Sequence, residues 1–153
     1  MADILWLDER EQRAWRAFLR MYAQVTSRLR RQMHRDTGLS YADYEVLVHL
    51  SEAPEGRLRS FQLGDALQWE KSRVSHQLSR MEARGLVARE GCPTDRRGAF
   101  VVITPTGREA IEAAAPLHVL EVRRTFLDAL RPDQVEALAD IAGSVLDRLD
   151  ARE

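Results

Sequence analysis

Apolar positions along the chain repeat first at a helical period, then briefly at a strand period, then at a helical period again. From residue 8 to 35, Trp15, Phe18, Tyr22, Val25, Leu29 and Met33 recur at intervals of three and four, which predicts one long amphipathic helix. Gly38 ends it. Ser40 with Asp43 three residues later forms a capping-box pattern, with Leu39 and Tyr44 placed as a hydrophobic staple. Tyr44, Leu47, Val48 and Leu50 then face inward until Pro54-Glu55-Gly56 breaks the pattern. A short helix is expected over Ser60 to Leu67, capped by Ser60, with Leu63 and Leu67 on its apolar side. Gln68-Trp69-Glu70 makes a turn, and a second helix carries Val74, Leu78 and Met81 on one stripe before ending on Gly85. Leu86–Glu90 and Ala99–Ile103 read as two strands around an eight-residue polar tip, Gly91 to Gly98. Thr104 and Pro105 are an N-cap and a first helical residue. The helix they open presents Ile111, Ala114, Leu117, Val119, Val122 and Phe126 and runs to about Leu130, with a kink expected at Pro116. Pro132 begins a last helix, with Val135, Leu138, Ile141, Ala142, Val145 and Leu149 apolar to near Asp150.

Helix, turn, helix and basic-tipped hairpin together spell a winged helix-turn-helix, so the fold class is mainly α with a small β-hairpin wing. Residues 38–104 would form the winged lobe, and 1–37 together with 105–153 a helical lobe. Opposite the apolar stripe of the second helix lie Ser72, Ser75, His76, Ser79 and Arg80, with Lys71 and Arg73 in its first turn. A helix enters the major groove of B-DNA only if its outer face is slim and carries donors for phosphates and base edges, and this face does. Ser60, and Asp95, Arg96 and Arg97 at the hairpin tip, complete the candidate DNA-binding set. The three long helices from the two chain ends carry more apolar surface than one winged helix needs. A second copy is the simplest cover for it, and a twofold pair would set two reading helices into successive major grooves about 34 Å apart, on a near-palindromic site.

Composition fits one ordinary globular domain: 153 residues, 44% hydrophobic. Ile4 to Leu7 is followed at once by charges and no run of eighteen apolar residues occurs, so a cytoplasmic location without membrane association is expected. The single cysteine excludes an internal disulfide and a cysteine-based zinc site. A formal net charge of −1 is unlike the strongly basic footprint of many nucleic-acid binders. Its distribution changes the picture: residues 59–97 hold eight basic and five acidic side chains, and residues 105–153 hold six basic and ten acidic. Positive charge therefore sits where the motif is.

These residues resemble the MarR-type transcriptional regulators. The similarity is carried by Leu63-Gly64-Asp65-Ala66-Leu67, Lys71-Ser72-Arg73-Val74-Ser75, Met81 to Arg89, Asp95-Arg96-Arg97-Gly98 and Ile103-Thr104-Pro105-Thr106-Gly107. It spans nearly the whole chain, and its most specific parts are the aspartate-any-arginine tip and the threonine-led helix start. The resemblance implies a homodimer with intertwined terminal helices, double-stranded DNA as partner, and repression as the usual outcome. It also implies that Arg97 reaches the minor groove, and that small aromatic or acidic ligands bind where helices one, two and five converge. Trp15, Tyr22, Tyr41, Tyr44 and His118 are the candidate residues there; ordinary packing of those rings is the competing reading.

Enzyme readings find no footing, since Gly85, Gly91 and Gly98 are turn glycines and no phosphate-cradling loop exists. His34, His49, His76 and His118 are scattered. His118 and Glu121, one helical turn apart, offer only two ligands, so no metal or other cofactor is expected. Cys92 at the hairpin tip is read as incidental rather than redox-sensing, with Arg96 and Arg97 the only cations near enough in sequence to depress its pKa. Two functions remain in play: a ligand-responsive transcription factor, and a winged-helix adaptor that binds a protein and no DNA, which the near-neutral charge would favour.

Overall fold

The computed structural model describes residues 5–92 and 95–151, the backbone only at residue 92 and at 95–98. Its elements are α1 (Glu9–Thr37), α2 (Tyr41–Glu52), a 3-10 turn at Pro54–Gly56, β1 (Arg57–Arg59), α3 (Ser60–Leu67) and α4 (Lys71–Ala83). They continue with β2 (Val87–Cys92), β3 (Asp95–Ile103), α5 (Pro105–Thr125), a 3-10 turn at Leu127–Ala129 and α6 (Pro132–Asp150). The strands form one antiparallel sheet in the order β1-β3-β2. Helices thus dominate a small wing, as the hydrophobic pattern predicts.

Residues 29–118 form one compact unit. It takes in the last turns of α1 and the first half of α5, beyond the 38–104 expected from the sequence, because Met33 and Ile111 are core residues there. The core is made by Met33, Leu47, Leu50, Leu63, Leu78, Met81, Val87 and Val101, all essentially solvent-free. Each such side chain contributes on the order of 1.5–3 kcal/mol of burial. The stripe Val74, Leu78 and Met81 is buried as the helical period requires, and it fixes which side of α4 faces out.

Local chemistry sets the boundaries. At α2, Ser40 Oγ accepts from the Asp43 N–H at 3.0 Å and Asp43 Oδ2 accepts from the Ser40 N–H at 2.8 Å, closing the expected capping box. Leu39 and Tyr44 are both buried beside it. The α3 cap differs from expectation. Arg59, not Ser60, is the capping residue, and its N–H donates to Gln62 Oε1 at 3.0 Å, leaving Ser60 as the first helical residue. Thr104 caps α5, its Oγ1 accepting from the Gly107 N–H at 3.0 Å. Gly107 is required there by close approach: a Cβ would lie 2.1 Å from the Leu86 carbonyl oxygen, so α5 can pack on the start of the sheet only without a side chain at that position.

Two further boundaries depart from the sequence reading. Pairing in the wing runs from Val87↔Ile103 out to Cys92↔Asp95, with a register shift between Glu90 and Cys92, so most of the polar tip belongs to the ladder. Pro93 and Thr94 lie outside the described residues. Turn-forming residues end a strand only when no partner strand supplies hydrogen bonds, and here β3 does. Helix α5 continues through Pro116 but stops at Thr125 rather than near Leu130. Phe126 leaves helical geometry at φ −133°, and a 3-10 turn follows.

Residues 1–28 and 119–153 form the second unit. Here Arg28 Nε donates to Glu121 Oε1 at 2.9 Å, and Thr125 Oγ1 donates to the same oxygen at 2.9 Å. Those two bonds hold the Glu121 carboxyl below its ordinary pKa, the Thr125 bond first. Apolar cover is scarce. No described residue of α6 is buried, and among the described residues all the exposed large apolar side chains except Phe61 and Leu117 belong to this unit.

Candidate nucleic-acid interface

Helix α4 displays the face that its spacing predicts. Lys71, Ser72, Arg73, Ser75, His76, Ser79 and Arg80 are all exposed, while Val74, Gln77, Leu78 and Met81 are buried. The helix enters after a turn in which Gln68 adopts the left-handed conformation, φ 54°, and the Trp69 N–H donates to the Gly64 carbonyl at 2.9 Å. It leaves through Gly85 at φ +72°.

Several of the exposed groups are held rather than loose. The Arg73 guanidinium lies 4.0 Å from the centre of the Trp69 ring, a stacking worth about 0.5–1 kcal/mol at an exposed site. Arg89 reaches from β2 onto α4, donating to Ser79 Oγ at 3.0 Å and to the Ser75 carbonyl at 3.3 Å, with Glu82 3.6 Å from its Nε. Ser79, one of the candidate DNA-binding hydroxyls, is therefore already engaged with the wing. Arg80 Nη2 donates to Gln77 Oε1 at 2.5 Å. Lys71, Ser75, Ser60 and Arg89 also line an open cavity of about 490 Å³ with Phe61, Asp65 and Trp69, on the same side of the unit. The structure thus brings Ser60 and the α4 residues to one surface. The side chains of Asp95, Arg96 and Arg97, and the Cys92 thiol, lie outside the described residues.

Three residues of this surface escape the sequence reading. Arg89 shares strand parity with buried Val87, a pattern that points its side chain towards α4 and was open to view in the alternation. Phe61 is 63% exposed beside the cavity, off the Leu63 stripe, and its position alone would have flagged it. Gln77 is 2% exposed because its amide pairs with Asp43, which no local spacing announces. On the outer side of the sheet, Arg57 and Arg59 lie 5.0 and 4.7 Å from the Phe100 ring centre.

The ligand candidates divide between the two compact units. Trp15 and Tyr22 stack on either side of Phe18 along α1, at 5.7 and 6.3 Å between ring centres. Tyr41, Tyr44 and His118 cluster in the other unit, His118 4.6 Å from Tyr44 and 5.7 Å from Tyr41. Burial lowers the His118 pKa and raises that of Tyr44. His118 Nδ1 is buried without a hydrogen-bond partner among the described residues. A cavity of about 240 Å³ opens beside Tyr41 and Tyr44, lined also by Glu45, Val48, His49, Ala66 and Leu67. Among the described residues no group of three histidine, cysteine or acidic side chains is arranged to hold a metal ion. No helix among them is long and apolar enough to cross a membrane.

Known proteins place this geometry. A MarR family model matches residues 37–98, the span holding α2, the helix-turn-helix and most of the wing. The chain is similar to AbsC, a MarR family transcriptional regulator from Streptomyces coelicolor, at 40% identity, with 97% of this chain and 99% of that one covered and a TM-score of 0.90. Sco3205, a second MarR family transcriptional regulator from Streptomyces coelicolor, was solved in complex with DNA; it is 38% identical, over 95% of this chain and 92% of that one, with a TM-score of 0.90. The HTH-type transcriptional regulator YkoM of Bacillus subtilis is 27% identical over 85% of this chain and 82% of its own.

Proposed function

The chain belongs to the MarR family of transcriptional regulators, and from that premise we propose that it binds near-palindromic operators as a homodimer and represses transcription by blocking polymerase. The observation that carries this reading is the α4 face: small polar and cationic side chains, exposed together on a helix whose opposite stripe is locked into the core. The DNA complex of Sco3205 supports it. In this assignment Ser72, Ser75, His76 and Arg80 read base edges, Lys71 and Arg73 hold phosphates, and Ser60 contacts the backbone at the start of α3. Arg97, with Asp95 holding the tip and Arg96 beside it, enters the minor groove of A·T-rich flanks. The dimer reading is supported by the uncovered apolar surface of the second unit.

An effector reading is supported separately by the ring cluster. Tyr41 and Tyr44, with His118 packed against both rings, border the 240 Å³ cavity, which would take a small aromatic ligand. Glu45 in the lining, its pKa raised by burial, favours a ligand that offers a donor there over one that offers a second carboxylate.

Titrating the protein against a random-sequence duplex from 50 to 200 mM salt tests the proposal against the adaptor alternative. A DNA binder gives log affinity falling linearly with log salt, about −0.9 per phosphate contacted; an adaptor gives no measurable binding at any salt.

A further inference from the structure

Asp43 is 2% exposed, yet it carries a carboxylate with three donors around it. Oδ2 accepts from the Ser40 N–H at 2.8 Å and from Arg84 Nη1 at 2.6 Å. Oδ1 accepts from Gln77 Nε2 at 2.6 Å. Gln77 is equally buried, and its other amide atom, Oε1, accepts from Arg80 Nη2. The N3 carboxylate of the α2 capping box is thereby wired to an exposed arginine of α4.

Polarity runs one way through this chain. An ionised carboxylate only accepts, so Gln77 must turn its NH2 inward and is left with an oxygen pointing out. A guanidinium only donates, so that oxygen is what Arg80 requires. Held through one Nη2 hydrogen, Arg80 keeps the second Nη2 hydrogen for a two-point contact together with Nε–H or Nη1–H, which have no partner among the described residues. An arginine fixed in this way meets the N7 and O6 of guanine with less side-chain entropy to lose than a free one.

We propose that Asp43 is a positioning residue for sequence reading: acting through Gln77, it orients Arg80 for bidentate contact with a guanine edge. The proposal rests on the reading that α4 binds operator DNA. It assigns a specificity role to a residue that touches no DNA.

The chemistry gives a substitution that reverses the wiring. In Asp43→Asn, the new amide oxygen stays with the Ser40 N–H and Arg84, so its NH2 faces Gln77. Gln77 then flips to offer its oxygen inward and turns its own NH2 on Arg80, releasing it. Adding Gln77→Glu restores an acceptor on both sides: the introduced carboxylate accepts from the introduced amide with one oxygen and from Arg80 with the other.

Asp43→Asn, Asp43→Asn/Gln77→Glu, Gln77→Met and Arg80→Ala are titrated against the tightest duplex recovered from a random library, its single-base-pair variants and a random duplex, with thermal melts alongside. Arg80→Ala is expected to lose about tenfold or more on the tight duplex and its preference at one position of each half-site. Asp43→Asn and Gln77→Met are expected to relax preference at that same position about five- to tenfold while leaving random-duplex affinity and salt slope as in the wild type, because the arginine charge is still present. The double variant is expected to regain the preference. Undiminished preference in a folded Asp43→Asn or Gln77→Met, or a double variant as relaxed as Asp43→Asn, overturns the proposal. If Asp43→Asn does not fold, Gln77→Met decides alone. Failure of the underlying reading looks different: wild-type protein would then bind neither the selected nor the random duplex.

Discussion

A negative charge at Val145 should both separate the proposed dimer and destabilise its subunits. Ile141, Val145 and Leu149 follow one another at four-residue spacing on α6 and are 61%, 55% and 56% exposed in the single chain. Covering the exposed half of one valine contributes roughly 0.8 kcal/mol, and in a twofold pair Val145→Asp loses it twice, about 1.6 kcal/mol. The larger part is the charge. Each buried carboxylate without a partner costs several kcal/mol, reduced here by whatever water reaches the site, so the dimer should weaken by at least about 4 kcal/mol, or roughly a thousandfold in Kd. Sedimentation velocity over a hundredfold concentration range, with a thermal melt of the same samples, reads both effects. The expected result is a monomer that melts well below the wild type. A variant that remains as dimeric as the wild type, or a monomer with the wild-type Tm, would refute the claim that these helices supply each other's burial.

Other outcomes follow from single residues. Lys71→Ala should weaken every duplex alike and lower the salt slope by about one unit, whereas His76→Ala should relax preference at one position of each half-site; binding titrations on operator and random duplexes separate the two. Gly107→Ala places a Cβ 2.1 Å from a backbone carbonyl and should cost about 3 kcal/mol, read by urea unfolding. His118 is half-buried and that burial lowers its pKa, so the unfolded chain binds its proton first. Its contribution is full above the unfolded value near 6.5, declines as pH falls from there to the depressed folded value, and levels off below it. His118→Phe should flatten the fall in Tm between pH 7.5 and 5.5.

Periodicity made most of the architecture legible. The Val74, Leu78 and Met81 stripe oriented α4, and Ser40 with Asp43, Thr104 with Pro105, and Gly85 marked true ends, because each of those signals is settled by residues within one turn of one another. What stayed hidden depends on distant partners. Strand β1 has three residues and exists because β3 pairs with it. The wing ladder extends through residues that favour turns because its two strands support each other. Asp43 was legible as a capping residue, but its bonds to Gln77 and Arg84 join positions 34 and 41 residues apart. Arg73 was legible as a first-turn cation, and only the fold sets it over Trp69. The apolar stripe of α1 was legible, as was a surplus of apolar surface on the terminal helices; which residues carry that surplus, Trp15, Phe18 and Tyr22 about half exposed in the single chain, was not.

Selection of bound sequences from a random duplex library tests the central claim most directly. A dimer that sets two α4 helices into successive major grooves should recover a near-palindrome with half-site centres about 10–10.5 base pairs apart and a fixed base pair in each half-site that disappears from the library bound by Arg80→Ala. Recovery of no enriched sequence, or of one unpaired half-site bound by a single chain, would contradict it.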